Sequence, residues 1–397
     1  MTFKTPVYLD YHATTPVDPM VLTAMLPYFT HEFGNPSSSD HIYGAQAAEA
    51  VEMARRKVAR VLHAKPEEII FTSGATESNN LALVGVMERL SERGNHLITC
   101  ATEHKAVLET AKRLEKKGKR VTFLPVDRYG LVDPAAINEA ITEETVLISI
   151  MAANNEIGTV APIKEIGAIA RERGVFFHTD AAQAAGHIPL NVEAMNIDFA
   201  SVSGHKIYGP KGVGALFIKG LAPSAKISAL MCGGGQERGI RSGTLNVPGI
   251  VGLGEALEIA QHEMNEENKR TTEWTGLMLE SFQEFYENVS LNGHPKKRLA
   301  HNLNVCFPGL ESKALIHVLR RDLSISAGSA CTTASVEPSH VLRAIGLDDN
   351  LIYSSLRFGL GRFNTQNEIE YSIEKVQWAV NRLRRIKGAS NLPRDLS

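Results

Sequence analysis

The chain has 397 residues, more than one compact core usually organises, so two packed domains are expected. Its 43% hydrophobic and 22% charged content is globular and excludes disordered and fibrous classes. A formal net charge of −2 gives no overall pull toward nucleic acid or an anionic membrane, so any anion site must be local.

In chain order, Met1 to Pro6 runs directly into a strand-like Val7-Tyr8-Leu9-Asp10. Nothing there reads as a charged region followed by an apolar one, so no secretory signal is expected and the cytoplasm is the expected location. From about residue 65 to 220, short apolar runs alternate with amphipathic stretches. Seven of these runs read as strands: 69–72, 96–100, 121–124, 146–150, 175–178, 199–203 and 213–218. Helical patterns lie between most of them, as at 104–117 and 163–173. That alternation predicts a mostly parallel sheet with helices on both faces, whose ligands gather beyond the carboxyl ends of the strands. Past Pro248 the pattern turns to long helical stretches, above all 252–289. Strand-like 303–307, a helix around 313–321, strand-like 323–326 and a last helix over 366–386 follow. The expected division is a large domain over 15–260 and a smaller α+β domain made of 1–14 and 261–397. The longest apolar runs, such as 146–151, are far too short to cross a bilayer.

Four cysteines, at 100, 232, 306 and 331, are too few and too scattered for a disulfide scaffold. None forms a CxxC pair, so no structural metal site is expected. Cys306, inside Leu303-Asn304-Val305-Cys306-Phe307, reads as a small buried hydrophobe. Cys331 differs, because it lies in a run of small residues without apolar periodicity, which predicts a loop and an exposed thiol.

The chemistry concentrates where strands end. Ser203-Gly204-His205-Lys206 closes one strand ahead of a Gly/Pro-rich turn. It reads as a lysine that forms a covalent link, with Ser203 and His205 beside it as phosphate partners, or, taken alone, equally as a surface lysine before a turn. Thr72-Ser73-Gly74-Ala75-Thr76 follows another strand and opens a helix, presenting backbone N–H groups to an anion. It matches neither GxGxxG nor a Walker loop, so a monophosphate suits it better than a dinucleotide or triphosphate; an ordinary helix cap is the plainer alternative. Asp180, just past a buried strand, would suit a protonated pyridine nitrogen, with a helix cap again the plainer reading. His104 follows a third strand, where it can lie over a flat ring or serve only structure.

Taken together, these motifs resemble those of the cysteine desulfurases, within the aminotransferase class V group of fold-type I pyridoxal-phosphate enzymes. The resemblance runs from Tyr8-Leu9-Asp10 to Gly361-Arg362-Phe363 and keeps the family's motif order. It includes Gly34–Ser38, Thr72–Asn79, Glu103–Lys105, Asn154–Gly158, Asp180–Gln183, Ser203–Lys206, Arg241–Thr244 and Gly328–Cys331. It implies pyridoxal 5′-phosphate as cofactor, Lys206 as its covalent anchor and proton shuttle, Asp180 on the ring nitrogen and Gln183 on the phenolic oxygen. It further implies His104 as a catalytic residue, stacked on the ring and serving as an acid–base group, and Gly74, Ala75, Thr76, Ser203 and His205 around the phosphate. Thr244 would reach the phosphate site of a second copy in a homodimer, and Asn155 with Arg357 would hold the substrate carboxylate. Cys331 would take sulfur from L-cysteine as a persulfide, leaving alanine, and the stretch up to His340-Val341-Leu342-Arg343 resembles the long-loop form tied to iron–sulfur cluster supply. The implied partners are a scaffold or other sulfur acceptor protein, with no nucleic acid and no membrane. The chain's end, Arg384 to Ser397, departs from the tail with which cluster-assembly members dock a scaffold, so the acceptor stays open. The neighbouring activities are selenocysteine lyase and class V aminotransferase, and a sulfur-relay binding protein with a vestigial cofactor site is the rival outside enzymes.

Overall fold

The computed structural model describes residues 3–220, 226–327 and 338–390. In chain order its strands are β1 (Val7–Tyr8), β2 (Ile69–Thr72), β3 (His96–Cys100), β4 (Arg120–Leu124), β5 (Thr145–Ser149), β6 (Phe176–Asp180) and β7 (Phe199–Ser203). They continue with β8 (Gly214–Ile218), β9 (Ser290–Leu291), β10 (Asn302–Cys306), β11 (Leu323–Ser324), β12 (Ser326–Ala327) and β13 (Ser355–Gly359). The seven apolar runs become one seven-stranded sheet in the order β2-β8-β7-β6-β5-β3-β4. β8 is antiparallel to both its neighbours, and the other pairings are parallel. Every residue of β3, β5, β7 and β8 is buried, which is why these strands read as continuous apolar runs rather than alternating ones.

Helices cover both faces. On one side Ala75–Arg89 and Lys105–Lys116 pack Leu81, Val84, Val107 and Leu114 against the sheet. On the other lie two helices, Ile42–Leu62 and the 39-residue Val247–Phe285. The first has no bulky apolar stripe; its buried face is Ala47, Ala50, Val51, Ala54, Val58 and Leu62, at helical spacing. Small side chains let the two backbones approach: a Cβ on Gly254 would sit 2.9 Å from the Cα of Ala54. The long helix starts earlier than its sequence pattern predicts. Pro248 lies in its first turn, where the missing N–H costs nothing, and the Asn246 side chain accepts from Gly249 N at 3.1 Å. Pro248 therefore opens the helix instead of separating two patterns.

The first half of that helix places Ile250, Leu253 and Leu257 in the core beneath the large sheet. Its second half places Trp274, Met278 and Phe282 in a second core, over the antiparallel sheet β12-β13-β10-β9. Val7 and Leu9 belong to this second core, because β1 pairs in parallel with β11. An Asp10–Gly359 bridge then carries the chain back toward the large sheet, delivering residues 12–14 to its carboxyl edge. A buried ion pair fixes the stretch before Val247: Arg55 holds Glu237 through two bonds of 2.9 and 2.7 Å. Glu237 also accepts from Phe71 N at 2.7 Å, so both charges are paired and hydrogen-bonded, as burial requires. Among the described residues, no helix is long and apolar enough to cross a membrane.

Candidate active site

The carboxyl ends of β2, β3, β5, β6 and β7 all deliver residues to one cavity of about 550 Å3. β7 ends at Ser203, and the short helix Gly204–Lys206 turns Lys206 over the sheet. The Lys206 Nζ donates to the carbonyl oxygens of His12 at 2.5 Å and Ala13 at 2.8 Å. β6 ends at Asp180, which is buried: Oδ2 accepts from Asn79 Nδ2 at 2.7 Å and Oδ1 from Ala182 N at 2.9 Å. Asp180 thus makes a local cap and still lines the cavity.

β2 leads through Gly74 into the helix Ala75–Arg89; Gly74 has no side chain to cap it, and the nearby acceptors Glu77 Oε2 and Thr72 Oγ1 take Ser73 N and Gly74 N, ahead of the first helical residue. Gly74 has φ +147°, a conformation that L side chains rarely adopt. A Cβ on the facing Gly214 would lie 2.6 Å from the Cα of Gly74, so glycine is required where β8 passes beneath the turn. Thr76, Ser203 and His205 line the cavity around this uncapped end. Thr14 Oγ1 lies 3.1 Å from His205 Nδ1, and burial, helped by Lys206 and Lys211, brings the His205 pKa down to about 4. His205 is therefore neutral near pH 7, and a hydroxyl proton donated by Thr14 leaves the ring's Nε2–H for an anion.

β3 leads to Glu103 and His104. His104 caps the helix Lys105–Lys116, with Nδ1 accepting from Ala106 N at 3.1 Å, and it also faces the cavity. Burial lowers its pKa, with the nearby Asp180 carboxylate pulling the other way. Because capping uses Nδ1, only Nε2 is left for a ligand. Behind it, burial pushes the Glu103 carboxyl up to about 8, against the pull of Met151 N, so it is largely protonated at neutral pH. The stretch after β5 supplies Met151 and Asn155, and Gln183 completes the wall.

The structure thus brings together Gly74, Ala75, Thr76, His104, Asn155, Asp180, Gln183, Ser203, His205 and Lys206. Arg357 is not part of the wall. It is buried on β13, donating to Asn155 O at 2.9 Å and to Asp10 Oδ1 at 2.7 Å, while its Nε has no partner among the described residues. Thr244 is exposed and lies outside its own chain's cavity; the preceding Arg241 ties that stretch to the rim through Glu77, at 2.9 Å. Cys331 lies outside the described residues. Cys100 and Cys306 are buried, and burial raises both thiols, Cys306 to about 11, so neither is a ready thiolate.

Several site residues were not singled out from the sequence: His12, Ala13, Thr14, Asn79 and Glu77. The first three reach the cavity only through contacts almost 200 positions away, which no local pattern encodes.

The donor set suits pyridoxal phosphate. An uncapped helix start with hydroxyls and a neutral imidazole fits a phosphate, a buried carboxylate fits a ring N–H, and a lysine lies between them. Residues 7–371 match the aminotransferase class-V family. A curated relative named cysteine desulfurase IscS, from Anaeromyxobacter dehalogenans (strain 2CP-C), is 51% identical over 99% of this chain and 96% of its own length. Another of the same name, from Rickettsia bellii (strain OSU 85-389), is 50% identical over 96% of this chain and 92% of its own. Among solved structures, a NifS-like protein superposes with TM-score 0.88 at 38% identity, over 95% of this chain and all (100%) of that one. SspA in complex with cysteine superposes with TM-score 0.80 at 41% identity, over 90% of this chain and 99% of that one. With the family match spanning nearly the whole described fold and the cavity built where its cofactor chemistry needs it, this chain belongs to the aminotransferase class-V family.

Proposed function

We propose that the protein is a pyridoxal-phosphate-dependent cysteine desulfurase, converting L-cysteine to L-alanine and passing the sulfur to Cys331 for cluster and cofactor synthesis. The observation that carries the cofactor half is the convergence of Lys206, Asp180 and the uncapped helix start at Gly74 on one cavity. The relatives' shared name carries the substrate half.

When bound, pyridoxal phosphate supplies an aldehyde for covalent attachment and a ring that accommodates negative charge from the substrate's α carbon. Lys206 would anchor it, and the same Nζ, once free, would take the substrate's α proton and return it elsewhere. Asp180, oriented by Asn79, would hold a proton on the ring nitrogen. Asn155 in the wall and Arg357 directly behind it would receive the substrate carboxylate, a role supported by an Arg357 Nε that has no partner among the described residues. Cys331 thiolate attacks the substrate sulfur. A sulfur–sulfur bond forms, the carbon–sulfur bond breaks, and its electron pair stays with the three-carbon fragment, which is protonated and leaves as alanine.

The working unit of this reading is a homodimer in the cytoplasm, with Thr244 serving the partner copy's phosphate site. The exposure of Thr244 supports it, as does a run of exposed apolar side chains on neighbouring elements, including Met20 at 64%, Phe33 at 64% and Ile42 at 66%. The division into 15–260 and 1–14 with 261–397 is supported by the two cores that share the helix Val247–Phe285.

The test is alanine release from L-cysteine with a thiol reductant and no 2-oxo acid. Alanine matched by sulfide is expected. Alanine appearing only when a 2-oxo acid is added would establish an aminotransferase instead, and a strong preference for L-selenocysteine would establish the lyase.

A further inference from the structure

From the cavity wall inward, three histidine rings lie in a row that the reading above does not use. His12 lies 4.5 Å from His301 at an interplanar angle of 21°, and His301 lies 4.2 Å from His187. All three are buried. His187 Nε2 is 3.1 Å from the Lys206 carbonyl and can only donate to it. His12 has the larger share of contacts with the cavity wall. Its carbonyl accepts from both Lys206 Nζ and Gln183 Nε2, the latter at 3.1 Å, and its Nδ1 lies 2.9 Å from Gln183 Oε1.

These contacts determine where the protons are. Gln183 can satisfy a carbonyl only with its amide nitrogen, so Oε1 must face the ring and accept. His12 Nδ1 therefore carries the hydrogen, and Nε2 keeps a lone pair. That Nε2 is buried without a hydrogen-bond partner among the described residues. The charged and titratable groups acting on the ring are Arg357, His187, Lys206 and His301. Burial first, then Arg357, oppose a second proton, so the ring stays neutral over the working range.

We infer that His12 is a positioning residue: its Nδ1–H holds the Gln183 amide in the one orientation that leaves the second Nε2 proton for an anionic oxygen bound in the cavity. This inference rests on the functional reading above and on the resemblance that puts Gln183 on the cofactor's phenolic oxygen. Donation into Oε1 also polarises the amide, which strengthens the donor at its far end.

Two substitutions separate donation from packing. Asn carries Nδ2 on Cγ, as His carries Nδ1, so His12→Asn keeps a donor in the same place. His12→Leu keeps the branching at Cγ and removes the donor. The readout is a pH titration of the visible absorbance of the cofactor-loaded proteins. With a weaker donor, negative charge on the phenolic oxygen is less stabilised, and the compensating proton at Lys206 Nζ is held to higher pH. The midpoint is therefore expected to rise by about one pH unit in His12→Leu and to stay with the wild type in His12→Asn. Should Leu prevent folding, His12→Ala carries the same expectation. A donor-free variant that titrates with the wild type overturns the inference, as does an equal shift in both variants, which would mark lost packing. A wild type that acquires no visible absorbance with pyridoxal phosphate overturns the functional reading itself, and the inference with it.

Discussion

Lys206→Ala is expected to purify without the visible absorbance of covalently held cofactor and to release alanine from L-cysteine about 10⁴-fold more slowly than the wild type, the upper range for loss of a positioned proton-transfer group. The side chain is placed for both jobs. It leaves the end of β7 on a short turn, and two backbone carbonyls, of His12 and Ala13, fix its amine in the cavity. Neighbouring cations do not replace it: Lys211 lines the same cavity but comes from the far side of the Gly/Pro turn, and Arg357 is buried against Asp10. The fold should survive, since the substitution removes hydrogen bonds to carbonyls at a cavity wall and leaves the apolar cores untouched. Absorbance and alanine assays on the variant check this directly, and a variant keeping both would remove Lys206 from the chemistry.

Cys331→Ala is expected to separate the two readouts. The visible absorbance should be unchanged, while alanine formation from L-cysteine falls by several orders of magnitude, as for loss of a nucleophile. The other cysteines make this a selective expectation. Cys100 and Cys306 are buried, with thiols raised by burial, so neither offers a thiolate near neutral pH. Cys232 is exposed, and Cys232→Ala is the matching control, expected to retain wild-type alanine release. Loss of activity in the Cys232 variant with retention in Cys331→Ala would move the acceptor role to residue 232.

The large sheet was legible because its strands are buried on both faces, which leaves apolar runs such as Leu97-Ile98 and Val146-Leu147-Ile148 standing out between amphipathic helices. Elements whose burial depends on small residues were not. Ile42–Leu62 buries alanines, and a helix read by its alanines has little apolar contrast. β13 carries Arg357 at its centre, a charge that masks a fully buried strand. Pro248 shows a different limit, since the same residue ends one helix or opens another depending on where its nitrogen falls.

Within the site, the legible residues sit at or within a few residues of strand ends, where Gly74, His104, Asp180 and Lys206 break apolar runs. Asn79 and His12 were hidden for opposite reasons. Asn79 lies on a helix and matters because it meets Asp180 across 101 positions. His12 follows β1, a strand of the second core, and enters the cavity only after the Asp10–Gly359 bridge turns the chain. Neither contact leaves a local signature, although each orients a residue that does.

The most direct test of the account is to expose the wild-type protein, loaded with pyridoxal phosphate and free of reductant, to one equivalent of L-cysteine and to map the sulfur by mass spectrometry of its peptides. The expected result is one additional sulfur atom on the peptide containing Cys331, removable by a thiol and accompanied by an equal amount of alanine. Alanine formed with no added sulfur on that peptide, or with the sulfur on Cys232, would contradict it.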